Sequence, residues 1–357
     1  MQNECNLSII TINYNGLKDT CELIESIPFN KEMEVIVVDN ASTQDEASII
    51  SEKYPHIKVI RSPHNLGFAG GNNIGIKEAK GKFILLINND TYFKEFNIES
   101  LIQRLESSDR IGIVCPKLRF AWGNNSIQYA GYTPLSPITV RNQAIGFGEE
   151  DKGQYETAHS TPYAHGAAML IKREAIDTVG LMPECFFLYY EELDWSIMFT
   201  RAGYEIWYDP ACTVFHKESQ TTGQNSPLRT YYITRNRLLL VKRNYKGINK
   251  YLSYIYLIGI VATRDILKYT FQGRLNLVKA VYRGIKTFNS QLSTEELWIF
   301  GLYYISSIGY SLSLLQEQCS ISAFFLWPRY SIEIRFKIKQ EPKIVLQLSY
   351  HPINRIV

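Results

Sequence analysis

Two amides and a carboxylate follow a short apolar run near residue 85. Asn88, Asn89 and Asp90 come directly after Phe83–Ile87, which predicts a buried strand. A carboxylate exposed at the end of a strand is a suitable ligand for Mg²⁺ or Mn²⁺, because these ions take oxygen ligands and share them with substrate phosphates. The same residues also suit a turn with an Asn/Asp cap. The segment alone leaves both interpretations open.

A second candidate is the glycine- and asparagine-rich segment 65–75, which is predicted to be a loop through Asn73 that opens a helix. Its four glycines allow backbone N–H groups to approach a ligand closely. The pattern is neither the dinucleotide-binding GxGxxG nor the P-loop, which disfavours those two chemistries. A connection that binds nothing is the alternative.

Acids and a histidine later in the chain supply further candidates. Glu191, Glu192 and Asp194 open a predicted helix, Glu191–Ala202. A carboxylate there could act as a general base, although the helix dipole favours acids at this position in any case. His216 ends a short apolar run and could complete a metal site with Asp90, although a lone histidine is more often structural.

Alternating strands and helices must position these residues. In the first 115 residues, uninterrupted apolar runs alternate with helical patterns, which predicts a mostly parallel sheet covered on both faces. Ligands of such sheets bind beyond the carboxyl ends of the strands. Three strands end in polar clusters, at 11–15, 39–42 and 88–90, and these are expected to share one rim. The predicted strands are Leu7–Ile12, Val35–Val38, Ile57–Ile60, Phe83–Ile87, Ile111–Val114, Gly166–Lys172, Tyr204–Tyr208 and Cys212–Phe215.

The charge of the chain is divided unevenly. Residues 1–225 hold 19 Lys and Arg against 29 Asp and Glu, whereas residues 226–357 hold 19 against 6. Such asymmetry predicts two surfaces with different partners, and the basic part could meet nucleic acid, anionic lipid or a diphosphate. Leu297–Gln316 carries no charge and fits a membrane span, an in-plane helix or a packed globular helix. The alternation in Tyr330–Leu348 predicts strands.

The six cysteines form no close pair, which favours reduced thiols and disfavours zinc. Met1–Asn6 lacks the pattern of a signal peptide. The expected location is therefore the cytoplasm, at the cytoplasmic face of the membrane if the basic part contacts lipid.

Taken together and in order, eight segments resemble glycosyltransferase family 2, with its GT-A fold, and within it the rhamnosyltransferase-like bacterial enzymes. Each segment alone is weakly specific, but eight in order are highly specific, and the resemblance covers about residues 6–245. The segments are 10–16, 37–43, 65–75, 85–91, 166–171, 186–194, 201–204 and 214–216.

The resemblance implies roles for individual residues. Asp90 stands at the last position of the family's DxD motif, whose other positions are amides here, and His216 matches a metal-ligand position, so Mn²⁺ or Mg²⁺ is the implied cofactor. Glu192 stands at the position of the catalytic base, which is often Asp in the family, with Glu191 and Asp194 as neighbouring candidates. The implied nucleotide-sugar site comprises Thr11, Asn13, Tyr14, Asp39, Asn65, Gly67, Gly70, Gly71, Asn72, Asn73, Asn88 and Asn89.

The resulting hypothesis is an inverting glycosyltransferase in cell-surface glycan synthesis. Residues 1–225 would form the GT-A domain, and residues 226–357 a mainly helical, basic, membrane-proximal extension with a β-like tail. The donor would be dTDP-rhamnose or a UDP-hexose, and the acceptor a lipid-linked saccharide or polysaccharide at the inner membrane surface. A catalytically inactive sugar-nucleotide-binding or scaffold protein is the alternative. A nucleotidyltransferase and a nucleic-acid-binding protein fit less well, since the first domain is acidic and lacks their motifs.

Overall fold

The computed structural model describes residues 5–122, 126–218 and 226–292, together with the backbone of three strands between residues 320 and 352. The chain divides into two compact units, Met1–Ile285 and Lys286–Val357. The first unit contains all of the candidate site residues.

A mixed sheet of ten strands forms the centre of the first unit. The strand order is β3-β2-β1-β4-β9-β6-β10-β5, with β7 beside β6 and β8 beside β10. The strands are β1 (Leu7–Asn13), β2 (Met33–Asp39), β3 (Lys58–Arg61), β4 (Phe83–Ile87), β5 (Thr91–Tyr92), β6 (Ile111–Phe120), β7 (Ile127–Tyr129), β8 (His159–Ser160), β9 (Ala168–Lys172) and β10 (Glu205–His216).

The predicted parallel arrangement is confirmed in one half of this sheet. Strands β3, β2, β1 and β4 are parallel neighbours. Beyond β4 the direction changes, because β9 pairs antiparallel with both β4 and β6. The two short strands predicted at 204–208 and 212–215 are one strand, β10, which pairs with β6 across an irregularity between Asp209 and Thr213.

Helices cover the sheet and contribute the apolar faces that complete its core. Leu23, Ile24, Leu101 and Leu105 are buried from two of these helices, and burial of such side chains is the main stabilising contribution to a fold of this kind. The helices of this part are α1 (Leu17–Glu25), α2 (Glu46–Lys53), α3 (Gly67–Glu78), α4 (Ile98–Glu106), α5 (Arg173–Val179) and α6 (Glu191–Arg201).

The glycine-rich segment differs from its prediction as a loop through Asn73. Helix α3 already begins at Gly67, so most of the segment is helical. The glycines allow this helix to lie close to β1: a Cβ at Gly75 would be 2.3 Å from Cγ2 of Ile10, and one at Gly71 would be 2.9 Å from Cδ1 of Ile12. Close packing explains these two glycines without a ligand.

A helical region follows the sheet, which confirms the helical prediction for the described part of the extension. Helix α7 (Pro227–Asn244) has Ser226 as its N-cap, whose hydroxyl accepts a hydrogen bond from Arg229 N, and Pro227 in the first turn. It is followed by α8 (Gly247–Tyr254), a π-helical stretch (Ile255–Ala262), α9 (Thr263–Phe271) and α10 (Leu275–Asn289).

The second unit contains an antiparallel sheet of three strands, β11 (Ser320–Trp327), β12 (Tyr330–Ile338) and β13 (Ile344–Pro352). The strand prediction for the tail is thereby confirmed. Leu297–Gln316 lies outside the described residues. Among the residues that the structure does describe, no helix is long and apolar enough to span a bilayer.

Candidate active site

A cleft of about 440 Å³ lies at the carboxyl ends of β1 and β4. Its walls come from the segments after β1, β2 and β4, from the start of α3, from β7, and from the segments preceding β9 and α6. Ten of the residues singled out in the sequence line it: Tyr14, Asn65, Gly67, Asn72, Asn88, Asn89, Asp90, Glu191, Glu192 and His216.

Strand pairing brings Asp90 and His216 together. His216, the last residue of β10, pairs with Thr91 of β5, the residue that follows Asp90. The Nε2 atom of His216 lies 3.1 Å from Oδ1 of Asp90, and the two side chains are 126 residues apart in sequence. Both side chains are largely buried at the edge of the cleft.

The other ring nitrogen of His216 is held by Gln128, which lies on β7. The Nδ1–H donates to Oε1 of Gln128 over 2.8 Å. In the neutral ring this leaves the lone pair of Nε2 directed at the carboxylate of Asp90, so two electron-pair donors face each other. A divalent cation between them fits this arrangement, and a metal-binding histidine usually donates its second N–H in this way. Among the described residues there is no third His, Cys, Asp or Glu in the group, so substrate oxygens and water would complete the coordination.

The predicted base position lies in a buried environment. Glu192 is half-buried beside the cleft, and burial raises the pKa of its carboxyl to about 7. Glu191 is 3% exposed, and burial together with the charge of Glu192 raises its pKa well above the usual range. One oxygen of Glu191, Oε2, has no hydrogen-bond partner among the described residues. Burial therefore favours the neutral form of Glu191, and Glu192 has a pKa close to neutral pH.

The loop before α6 has an unusual backbone. Phe187, Tyr189 and Tyr190 all have positive φ, at 66°, 70° and 75°. Such conformations cost energy in residues with a Cβ and persist only where the surroundings enforce them. The loop carries the chain directly into Glu191.

Helix α7 holds this loop in place through its buried polar face. Asn236 is fully buried, and its Nδ2 lies 2.9, 2.7 and 2.9 Å from the carbonyl oxygens of Phe186, Leu188 and Tyr189. The neighbouring Arg235 donates to the carbonyl of Cys185 over 2.9 Å and to Oδ1 of Asn236 from its Nε over 2.7 Å. These bonds satisfy carbonyls that the irregular loop cannot pair internally.

Asp194 lies outside the cleft, in an ion pair with α7. Its carboxylate accepts from Nε of Arg243 at 3.0 and 3.1 Å and from Nδ2 of Asn244 at 2.5 Å, and it is 1% exposed. Because the arginine occupies both carboxylate oxygens, this geometry suits a connection between α6 and α7 rather than proton transfer.

Asn13 and Asp39 belong to a network behind the cleft wall. They are partners in the β1–β2 pairing, and Asn13 Nδ2 donates to Asp39 Oδ1 over 2.9 Å. Asn13 also donates to Glu46 over 2.7 Å and accepts from Thr20, which in turn accepts from Asn89 over 3.0 Å. The network connects β1, β2 and the segment after β4, and thereby fixes Asn89 at the cleft.

The remaining predicted residues, apart from Asn65, also lie behind the cleft surface. Thr11 is fully buried, and its hydroxyl has no partner among the described residues. Asn73 donates to the carbonyl of Met182 over 2.9 Å and so holds the segment before the irregular loop. Gly70 and Gly71 face side chains of Leu66 and Ile12. Asn65 lines the cleft and accepts from Asn40 over 3.1 Å and from the N–H of Gly67 over 2.9 Å.

Gln128, His165 and Asn236 were not singled out in the sequence. Gln128 lies outside every segment that the sequence singled out, so no signal identified it. His165 lines the cleft, where burial and, to a smaller extent, the nearby His216 lower its pKa to about 3. A sequence signal for Asn236 was available, because Asn236 and Arg235 are adjacent polar residues shortly before the apolar run Leu238–Val241 of the same helix.

The chain matches known glycosyltransferases over most of this unit. Residues 8–180 match the family model described as Glycosyl transferase family 2. The chain is 27% identical over 238 residues to the low-salt glycan biosynthesis hexosyltransferase Agl10 of Haloferax volcanii, covering 65% of this chain and 74% of that protein. It is 22% identical to an N-acetylglucosaminyl-diphospho-decaprenol L-rhamnosyltransferase of Mycobacterium tuberculosis, covering 56% of this chain and 71% of that protein.

Solved structures agree on the fold. The crystal structure of GalNAc-T7 with UDP, GalNAc and Mn²⁺ matches with a TM-score of 0.57 at 16% identity, covering 97% of this chain and 69% of that one. The crystal structure of S. aureus TarS matches with a TM-score of 0.50 at 14% identity, covering 99% and 70%.

The mixed sheet, with its cleft at the strand ends, is the GT-A architecture expected from the sequence. Residues 8–180 form a glycosyl transferase family 2 domain, and the two relatives support a rhamnosyltransferase-like subgroup. The protein is a glycosyltransferase.

Proposed function

We propose that the protein transfers a hexosyl residue from a nucleoside-diphosphate sugar to a hydroxyl of a lipid-linked saccharide, with inversion at the anomeric carbon. The observation that carries the proposal is the placement of the Asp90–His216 pair and of Glu192 around one cleft. The names of the two relatives support a hexosyl donor, and one of them names a diphospho-decaprenol acceptor. Rhamnose carried by dTDP is the donor that the second relative favours, with UDP-hexoses as the alternative.

Asp90 and His216 are the residues that would hold a divalent cation. When bound, the cation would offset charge on the departing diphosphate. The GalNAc-T7 structure, which contains Mn²⁺ and UDP, supports this cofactor and donor class. Asn88 and Asn89 bring amide groups to the same wall of the cleft, and Tyr14, Asn65 and Asn72 would contact the nucleotide.

Glu192 is the proposed base. Its carboxylate accepts the proton of the acceptor hydroxyl while the hydroxyl oxygen forms a bond to C1 and the C1–O bond to the diphosphate breaks. A pKa of about 7 suits this role, because the group is partly ionised at neutral pH and still basic enough to accept a proton. Burial and the charge of Glu192 raise the pKa of Glu191 and so favour its neutral form, which would add no second negative charge beside the base.

Helices α8 and α9 present a surface that suits contact with a membrane. The lipid-facing surface, as we define it, consists of six exposed apolar side chains: Ile248, Leu252, Ile255, Ile260, Leu267 and Phe271. Cations lie along the same helices, and Asp265 is the single acid between Arg229 and Lys286. Exposed apolar side chains beside cations favour an anionic bilayer surface, at about 1 kcal/mol for each Lys or Arg. Assembly with a second copy of the chain is the alternative for this surface.

The division of the chain at residue 225 into a catalytic domain and a membrane-proximal extension remains a prediction. In the proposal, residues 1–225 carry the transfer chemistry, and the basic residues that follow hold the enzyme at the inner membrane surface, where a lipid-linked acceptor is found. Helix α7 serves both parts, because it also supports the loop before Glu191.

Calorimetric titration with UDP, dTDP and GDP tests the donor class. One nucleotide should bind in the presence of Mn²⁺ and lose most of its affinity in EDTA. The variant Asp90→Ala should behave with Mn²⁺ as the wild type behaves in EDTA. Binding that is equal with and without the metal would contradict the proposed role of the Asp90–His216 pair.

A further inference from the structure

Arg237 of helix α7 is a buried cation without a carboxylate partner among the described residues. Its side chain is 8% exposed, one guanidinium nitrogen donates to the carbonyl of Thr139, and its Nε has no hydrogen-bond partner among those residues. Burial lowers the pKa of this guanidinium, and the charges of Arg141 and Arg264 lower it further. A buried charge is expensive unless an opposite charge accompanies it.

Two more arginines surround the same position beside the cleft. Arg229 lies over the ring of Tyr189, which lines the cleft, at 5.8 Å from the ring centroid. Burial raises the pKa of the neighbouring Tyr190, and the charges of Arg237, Arg141 and Arg229 oppose that rise. Arg237 donates to the carbonyl of Thr139, two residues before Arg141, and Arg229 lies over Tyr189, two residues before Glu191. These three residues, the arginine cluster Arg141, Arg229 and Arg237, therefore lie beside the segment that leads into Glu191.

Residues of the basic region, which follows residue 225, contact the segment that carries Arg141. Tyr245 donates to the carbonyl of Ser136 over 2.9 Å, and Ser253 donates to the carbonyl of Pro137 over 3.2 Å. These contacts hold the segment that carries Arg141 against α8. The cluster thus lies beside the loop that leads to Glu191 and beside α8, the helix that begins the lipid-facing surface.

We propose that the arginine cluster binds the diphosphate group of the acceptor. A guanidinium binds phosphate oxygens through paired N–H groups, and a diphosphate supplies the negative charge that the buried Arg237 lacks. This site is separate from the donor diphosphate site at Asp90 and His216. The inference rests on the proposed function, because it assigns the acceptor class of the same reaction.

Transfer kinetics test the assignment with Arg141→Gln and Arg237→Gln, and Arg110→Gln serves as the matched control because this exposed arginine pairs with Glu205. With a polyprenyl-diphosphate saccharide in detergent, the KM for acceptor should rise about tenfold or more in the two cluster variants. Hydrolysis of the donor without acceptor should change less than about twofold. An unchanged acceptor KM, or an equal fall in donor hydrolysis, would overturn the proposal.

Binding of inorganic pyrophosphate provides a second test that needs no turnover. In EDTA, which removes the metal contribution of the donor site, pyrophosphate should raise the thermal midpoint of the wild type and of Asp90→Ala, but not that of Arg237→Gln. Without ligand, Arg237→Gln should melt no lower than the wild type, because it removes an uncompensated buried charge. A lower midpoint together with retained pyrophosphate binding would assign Arg237 a structural role instead.

Two outcomes separate this inference from other possibilities. If the wild type turned over no donor but bound pyrophosphate through Arg237, the proposed function would fail while the anion site stood. If the cluster variants lost binding to anionic phospholipid vesicles and kept the acceptor KM, the arginines would bind membrane headgroups, and the acceptor assignment would be overturned.

Discussion

The Nε2 atom of His216 lies 3.1 Å from Oδ1 of Asp90, with Gln128 holding the opposite ring nitrogen at 2.8 Å. The arrangement depends on three strands, since Asp90 precedes β5, His216 ends β10 and Gln128 lies on β7. No local sequence pattern links the three. The pair is nevertheless positioned as the proposed metal site requires, with the orientation of the histidine fixed by Gln128.

Removing the support of His216 should weaken metal binding without removing a ligand. Gln128→Ala is expected to lower the affinity for Mn²⁺ by about 10- to 100-fold, the range typical of residues that orient a ligand. Titration of Mn²⁺ in the donor-hydrolysis assay measures this. Gln103→Ala, at an exposed position of α4, is the control. An unchanged Mn²⁺ requirement in Gln128→Ala would show that the hydrogen bond does not orient the ring for metal.

Replacing the proposed base should change rate and stability in opposite directions. Glu192→Gln is expected to lower kcat by about 10²- to 10⁴-fold. In the wild type, kcat should rise with pH through about 7, because the carboxylate must be deprotonated to act. A variant that kept this pH profile would contradict the assignment.

The stability effect of the same variant follows from the raised pKa. The folded state holds the Glu192 proton up to about pH 7, whereas an unfolded chain releases it near the ordinary glutamate pKa of 4.5. The ionised carboxyl therefore destabilises the fold progressively as the pH rises through this interval. Glu192→Gln should melt above the wild type at pH 8, and the difference should shrink towards pH 4. Thermal melts at the two pH values measure it, and an equal difference at both would contradict the raised pKa.

Gly67 should tolerate no side chain, because of contact with the irregular loop. Its φ is +71°, and a Cβ would lie 2.0 Å from the carbonyl oxygen of Phe187. Gly148, with φ +79° and nothing within 4 Å of a Cβ, is the matched control. Gly148→Ala should cost about 1 kcal/mol of unfolding free energy from its backbone conformation alone. Gly67→Ala should cost clearly more and reduce activity, and equal costs in denaturant unfolding would argue against the close approach.

Asn236 should matter for catalysis through the loop that leads to Glu191. Asn236→Ala removes the Asn236 donor from the carbonyls of Leu188 and Tyr189, at a cost of about 1–3 kcal/mol of unfolding free energy, whereas the carbonyl of Phe186 keeps its hydrogen bond from Arg235. Asn236→Asp keeps the shape but removes the donor, so it should lose kcat in the same way. Asn30→Ala, at an exposed position, is the control. Loss of stability with unchanged kcat would restrict Asn236 to a structural role.

The lipid-facing surface predicts a measurable affinity for anionic membranes. Ile255→Ser combined with Phe271→Ser should reduce co-sedimentation with phosphatidylglycerol vesicles, since both side chains are more than half exposed. Ile49→Ser, on α2 and 45% exposed, removes apolar surface elsewhere and should bind like the wild type. If the double variant dissociated an oligomer and kept vesicle binding, the surface would be an interface between copies of the chain.

Local sequence patterns were sufficient to predict most of the fold. The features that they missed depend on contacts between residues that are distant in sequence. The apolar run Phe83–Ile87 is a strand with the predicted bounds, because a fully buried strand carries its signal in its own residues. The segment through Asn73 is predicted as a loop, because the close packing that requires its glycines, such as that of Gly71 on Ile12, is not visible in the local sequence. The insertion of antiparallel β9 between β4 and β6 likewise depends on pairing that no short segment encodes.

The residues of the candidate site also divide into those that the sequence identifies and those whose position depends on non-local contacts. Asp90, Glu192 and His216 were identifiable through the order of segments, and the structure places all three at the cleft. Asp194 looked equivalent to its neighbours in sequence, but Arg243, 49 residues later, occupies its carboxylate. Thr11 and Asn13 are buried in the protein behind the cleft. The pattern of a short buried strand does not reveal which of its side chains face the cleft.

Release of nucleoside diphosphate from a panel of dTDP- and UDP-sugars tests the central claim most directly. The wild type with Mn²⁺ should hydrolyse one donor slowly without acceptor, and EDTA or Asp90→Ala should abolish the release. A wild type that turned over no donor with Mn²⁺ or Mg²⁺ present, or an Asp90→Ala variant with full activity, would contradict the assignment of this cleft as the active site.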